Sequence, residues 1–138
     1  MSQTSDSPEQ LLLILQKATR SLVVAKRLAA TGEYDFASSR AYYAVFYAMQ
    51  AALRTKKLAS SKHSGTIRLF NQHFVKPGIF PTEFNKFITR LFSERQTGDY
   101  VFNTVITEPD AEKDIQIAEQ VVQAITDYLT REGFLSHD

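Results

Sequence analysis

The chain has no cysteine, which removes disulfide scaffolds and thiolate metal sites together. That composition fits a reducing cytoplasm, the location expected for it. It also lacks an excess of either charge. The net charge is +1 over 138 residues, so no global field draws the chain to nucleic acid and any anion site has to be local. Long apolar runs are missing too. The longest near the N-terminus, Leu11 to Leu15, is far too short to span a bilayer, and no membrane partner is expected. Residues 1–7 are polar and acidic, unlike a signal peptide, and are expected to form a loose tail. No glycine-rich loop follows a strand. His63, His73 and His137 have no metal-ligand spacing, and no nucleophile stands beside a base. Neither a metal nor a cofactor is called for.

What is present is helical. Hydrophobic residues make up 43% and charged residues 22%, ordinary for one domain with a real core. Ser7-Pro8-Glu9-Gln10 carries a capping serine, a first-turn proline and an acid at the positive end of a helix. Leu11, Leu15, Ala18, Leu22, Ala25 and Ala29 follow in steps of four and three, one apolar stripe closed at Thr31-Gly32. A second helix is predicted from about Glu33 to Lys56. Ala37, Ala41, Ala44, Ala48 and Ala51 form a ridge of small side chains that lets another helix approach closely. Phe36, Tyr43, Phe46 and Tyr47 supply bulk elsewhere, so this helix should be central.

After a break at residues 60–65, a third helix carries Ile67, Leu69, Phe70 and Phe74 and ends at Lys76-Pro77-Gly78. Pro81-Thr82-Glu83 opens a fourth, with Phe84, Phe87, Ile88, Leu91 and Phe92 on its apolar face. Residues 96–100 are expected to loosen or stop it, and residues 101–106 to form an extended connector, since no partner strand exists. Thr107-Glu108-Pro109-Asp110 starts the last helix, with Ile115, Ala118, Val122, Ile125 and Leu129 as its stripe, ending at Glu132-Gly133. The expected architecture is all-α: a single-domain up-and-down bundle of about five helices over residues 8–133, with a second tail at 134–138.

Three polar constellations interrupt this oily scaffold. Arg40 lies within Ser39-Arg40-Ala41-Tyr42-Tyr43-Ala44-Val45-Phe46, where an unpartnered charge is costly. Either its stem packs on Tyr43 while its head pairs with Asp35, Glu94 or Asp99, or it meets a phosphate. Ser60-Ser61-Lys62-His63-Ser64-Gly65 gathers hydroxyls, a lysine and a histidine at a helix start. It is either a capped, solvated turn or an anion contact, with Lys56, Lys57 and Arg68 close in sequence. Glu94-Arg95-Gln96-Thr97-Gly98-Asp99-Tyr100 collects an acid, a cation and a phenol, as a salt-bridged helix end also would.

Together, Ser39-Arg40-Ala41-Tyr42-Tyr43-Ala44-Val45-Phe46, Ser61-Lys62-His63-Ser64-Gly65 and Arg95-Gln96-Thr97-Gly98-Asp99-Tyr100 resemble the HEPN superfamily (higher eukaryotes and prokaryotes nucleotide-binding domain). The resemblance is to its small stand-alone bacterial and archaeal proteins and runs from about residue 9 to 130. It implies a helical bundle, a homodimer, and frequent pairing with a minimal nucleotidyltransferase in toxin–antitoxin systems. Active members are metal-independent ribonucleases. Their motif is an arginine, four to six residues, then a histidine, commonly with a tyrosine two residues on. On this chain the arginine falls at Arg95, the histidine place at Tyr100 and the tyrosine place at Phe102. Tyrosine titrates near ~10 and is a poor base at neutral pH, where histidine, near ~6.5, is a good one. Phe102 has no hydroxyl to be modified.

The expectation is therefore a nucleotide- or RNA-binding, regulatory module with a degenerate ribonuclease motif, rather than an enzyme. Arg95, Asp99 and Tyr100 would form one cleft wall, with Arg40, Lys62 and His63 as further anion contacts. The alternatives are an active ribonuclease toxin using Arg95 with His63 or Tyr100, and a purely structural dimeric interaction domain.

Overall fold

The computed structural model describes residues 6–100, 102 and 105–136. Among them are five α-helices and no strand. The helices are α1 (Pro8–Ala30), α2 (Tyr34–Arg54), α3 (His63–Phe70), α4 (Glu83–Tyr100) and α5 (Glu108–Arg131). A π-helical turn (Asn71–Val75) continues α3. The fold is all-α, as the periodicities predict. Residues 1–5, 137 and 138, which include His137 and parts of both expected tails, lie outside the described residues, as do three residues of the 101–106 connector.

The ends follow from local chemistry. The Gln10 N–H donates to Ser7 Oγ at 3.3 Å and the Ser7 N–H donates to Gln10 Oε1 at 3.0 Å, a reciprocal cap that satisfies two orphan donors. Thr107 and Asp110 repeat that arrangement at the start of α5. Gly32 follows α1 with φ +85°, a left-handed turn that glycine makes without steric cost.

The four long helices alternate in direction. Arg54 at the end of α2 pairs with Asp6 beside the start of α1 at 3.2 Å, whereas Ser38 and Asp114 join the early turns of α2 and α5 at 2.8 Å. The predicted ridge is what places α2 at the centre. Ala37, Ala41, Ala44, Ala48 and Ala51 are all fully buried. Enlarging one would typically cost about 1–3 kcal/mol in overpacking.

One expected ending is corrected. The segment 96–100 does not stop α4, which runs through Gly98 to Tyr100. A Cβ on Gly98 would lie 3.1 Å from the Asp35 carbonyl oxygen and 3.4 Å from Ile106 Cδ1. The glycine is there for a close crossing of α4 over the start of α2, not for chain freedom.

Candidate functional site

The Gly98 crossing brings the three polar constellations to one face. α2 presents Ser39, Arg40, Tyr42 and Tyr43. The first residue of α3 is His63, and the last turns of α4 carry Arg95, Asp99 and Tyr100. Tyr43 is the meeting point. Its hydroxyl accepts from Arg95 Nη2 at 3.0 Å. Its ring takes the Arg40 guanidinium at 4.5 Å and the edge of the His63 ring at 5.8 Å.

Arg95 is mostly buried, and its surroundings are chiefly phenols. Its guanidinium carbon lies 5.9, 5.5 and 5.4 Å from the ring centroids of Tyr42, Tyr43 and Tyr100, and Nη2 reaches Tyr100 Oη at 3.5 Å. Asp99 Oδ2 stands 3.1 Å from Arg95 Nε, near enough to pair charges. It lies off the line that a hydrogen bond needs, and the Nε–H is left without an acceptor. The same carboxylate oxygen accepts from Ser39 Oγ at 3.4 Å. Arg95 therefore has donors to spare.

Of the two readings for Arg40, the Tyr43 stacking is present. The ion pair with Asp35, Glu94 or Asp99 is not found among the described residues: Arg95 takes Asp99, and Glu94 belongs to another network. His63 is stacked on Phe46 with centroids 4.3 Å apart, and its Nδ1 lies 2.7 Å from Tyr42 Oη. Burial, and then the charge of Arg95, hold His63 below its ordinary pKa. Lys62 is exposed at the start of α3, beside the cluster rather than in it. Tyr100 is 63% exposed and Phe102 95% exposed, so the phenol at the histidine place of the motif is largely open to solvent even as its hydroxyl meets Arg95.

Sequence reasoning missed two parts. Tyr42, fully buried, fixes one edge of His63. Beneath the site, Asp114 of α5 accepts from Ser38 Oγ and from Arg90 Nε, each at 2.8 Å, with Asp110 3.9 Å from Arg90 Nη2. Burial raises the pKa of Asp114 despite these bonds. Burial, and then repulsion from Asp114 and Asp110, raise that of Glu94. This network pins α4 to α2 and α5 one turn before Arg95. Among the described residues no group of three His, Asp or Glu side chains is placed to hold a metal ion. No helix there is long and apolar enough to cross a membrane. A groove between α1 and α5, lined by Lys26, Tyr34, Glu108, Glu112 and Glu119 among others, is acidic and unsuited to a phosphate.

An antiparallel helical bundle whose central helix offers arginine and tyrosine to a histidine and to an Arg-x-x-x-Asp-Tyr helix end defines a class of small all-α domains. The family model for the HEPN domain matches residues 12–128, and the chain belongs to that family. It is 39% identical over 110 residues to a UPF0332 protein of Thermotoga maritima, covering 80% of this chain and 83% of that one. Two proteins of Methanocaldococcus jannaschii also match. "Putative toxin MJ0605" is 35% identical over 120 residues, covering 87% of this chain and 89% of its own. "Putative toxin MJ0142" is 36% identical over 99 residues, covering 72% and 67%.

Proposed function

We propose that this protein is a HEPN-type regulatory module that binds RNA or a nucleotide by its phosphate at the Arg40–His63–Arg95 cluster. It would form the toxin-like half of a pair with a minimal nucleotidyltransferase. The observation that carries the reading is the convergence of two guanidiniums and an imidazole on Tyr42 and Tyr43 with one carboxylate, Asp99, among them. A structural salt-bridge cluster would spend its cations on its own acids. Arg40 has none among the described residues, and Arg95 meets Asp99 alone while its Nη2 goes to two phenols. Lys62 adds charge at the rim, and Tyr100 gives an exposed ring for a base to stack on. The names of the archaeal relatives support the toxin half of the reading.

A homodimer completes the proposal. Phe36, Tyr100, Phe102 and Val105 are all more than half exposed, around the start of α2 and the turn after α4. A second copy would cover such a patch. Light scattering at micromolar concentration should return twice the 15.6 kDa chain mass, and a monomer would remove this part.

Titration of the protein into fluorescently labelled single-stranded RNA tests the site. Arg95→Ala should weaken binding about 10- to 100-fold, the worth of a hydrogen bond to a charged group. Arg40→Ala should lower both affinity and its salt dependence. Binding that ignores both substitutions refutes the reading.

A second reading is supported by one observation, that His63 and Arg95 share the Tyr42–Tyr43 pair. It is a metal-independent ribonuclease in which Arg95 stabilises charge on phosphorus and His63 or Tyr100 moves the proton. RNA cleavage by purified protein, abolished in Arg95→Ala, would establish it over the first.

A further inference from the structure

Tyr42 is enclosed on every side, and among the described residues its hydroxyl has one hydrogen-bonding neighbour, His63 Nδ1 at 2.7 Å. Burial pushes this phenol far above its usual range, so it stays an O–H at any ordinary pH. A buried hydroxyl hydrogen without an acceptor costs about 1–3 kcal/mol. It has one place to go, the lone pair of Nδ1. Were Nδ1 protonated and donating instead, the Tyr42 hydrogen would be stranded in the core.

That bond calls for the ring proton on Nε2 and a neutral ring. Stacking on Phe46 at 4.3 Å and 20°, with Tyr43 edge-on, fixes the plane. Nε2, on the opposite edge, has no hydrogen-bond partner among the described residues. Of the charged and titratable groups, Tyr42 and Tyr43 of α2 touch the His63 ring and Arg95 of α4 is close enough to act on its charge. Arg40 is stacked on Tyr43, Asp99 and Tyr100 are partners of Arg95, and Lys62 precedes His63 in the chain. The near cation, Arg95, opposes a second positive charge.

We propose that Tyr42 is a positioning residue that holds His63 as its neutral Nε2–H tautomer, and that His63 serves as a fixed hydrogen-bond donor to a phosphate oxygen beside Arg95. The inference rests on the anion-site reading above and deepens it. An Nε2 that carries a proton has no lone pair to take one from a ribose hydroxyl. A site built this way binds a phosphodiester, whose charge does not change with pH, without exchanging protons.

Long-range nitrogen–proton correlation spectra of the whole protein read the tautomer directly, with His63→Gln identifying the signal. Calorimetry with adenylyl-adenosine, a dinucleotide with one phosphodiester, reads the donor. The spectra should show the Nε2–H pattern, and affinity should stay within about twofold from about pH 5.5 to 8, the span over which an ordinary histidine changes charge. His63→Ala should lose about 10-fold, and His63→Gln, which keeps an N–H, should recover most of it. Tyr42→Phe should release Nδ1, mix the tautomers and make binding pH-dependent. An Nδ1–H pattern, or affinity that climbs as pH falls while His63 becomes a cation in the complex, overturns the neutral Nε2–H tautomer held by Tyr42 and leaves the anion site standing. Failure of the wild-type protein to bind the dinucleotide overturns both.

Discussion

The carboxylate of Asp114 is the test of how the site is held. It is fully buried on α5 and accepts from Ser38 on α2 and from Arg90 on α4. Asp114→Ala removes two hydrogen bonds to one carboxylate, each worth about 1.5–3 kcal/mol because the acceptor is charged. Breaking a fully buried pair typically costs about 3–5 kcal/mol. Arg90 keeps 36% of its side chain exposed, so water can re-solvate it, and Asp110 remains nearby. Removing a buried charge that repels Glu94 returns part of the loss. The expected net destabilisation is about 2–3 kcal/mol, a large part of the total for a domain of this size. With about 2.1 cal/mol/K per residue over 138 residues, the unfolding entropy is about 0.3 kcal/mol/K. The midpoint should fall by about 7–10 °C in a melt followed by circular dichroism. Ser38→Ala in the same background should add less than it costs alone, because both remove one bond. A fall under about 2 °C would mean that α4 is held by packing alone, and the network would lose its role beneath Arg95.

Two further outcomes follow from the same contacts. Glu94 has a raised pKa in the folded protein, so the folded state binds its proton more tightly than the unfolded chain. Its contribution is complete below the unfolded value, about 4.3, and is lost as pH rises through the folded one. In urea unfolding at stepped pH, Glu94→Gln should therefore gain on the wild type as pH rises across that window, and a difference that shrinks would refute the assignment. Gly98→Ala sets a helix-propensity gain of up to about 1 kcal/mol against overpacking of about 1–3 kcal/mol on the Asp35 carbonyl 3.1 Å away. The melting midpoint should drop, and a rise would show the crossing to be looser than drawn.

Everything that repeats with the period of a helix was legible in the sequence: five helices, the Ser7 cap, the Gly32 stop and the alanine ridge that makes α2 central. The three motifs were legible as letters, but their convergence depends on how far α2, α3 and α4 rotate about their axes, which no local pattern fixes. Gly98 shows the difficulty. Glycine near a helix end reads as a terminator, and only the Asp35 backbone opposite it reveals a close crossing. Asp114 did leave a signal. It lies four residues before Ala118, next to the stripe of α5, and a carboxylate on an apolar face has to be paired. Its partners, Ser38 and Arg90, are 76 and 24 residues away, beyond the reach of spacing. Tyr42 left a weaker one, since a buried phenol needs a hydroxyl partner and a histidine in a separate motif is a natural candidate.

The two departures from the ribonuclease motif and the state proposed for His63 bear on one question. A group that turns over protons at neutral pH needs a pKa near 7 and a free lone pair facing the ligand. Tyr100, at the place of the motif histidine, is exposed, and a phenol is a poor base at neutral pH. Phe102 has nothing to titrate. His63 has the right chemistry, but burial and Arg95 work against its charged form, and in the proposed tautomer its lone pair is turned to Tyr42. Arg40 and Arg95 present guanidinium N–H groups, which are donors only. On the proposed reading each nitrogen aimed at the ligand is then a donor and none is a base, an arrangement that holds a phosphate group and leaves its bonds intact. Replacing Tyr100 with histidine would supply the missing lone pair beside Arg95. If that variant gains RNA cleavage that Arg95→Ala abolishes, the scaffold differs from a nuclease by the proton acceptor alone. If the variant binds RNA and cleaves nothing, the arginine is aimed at a resting phosphate rather than at a transition state.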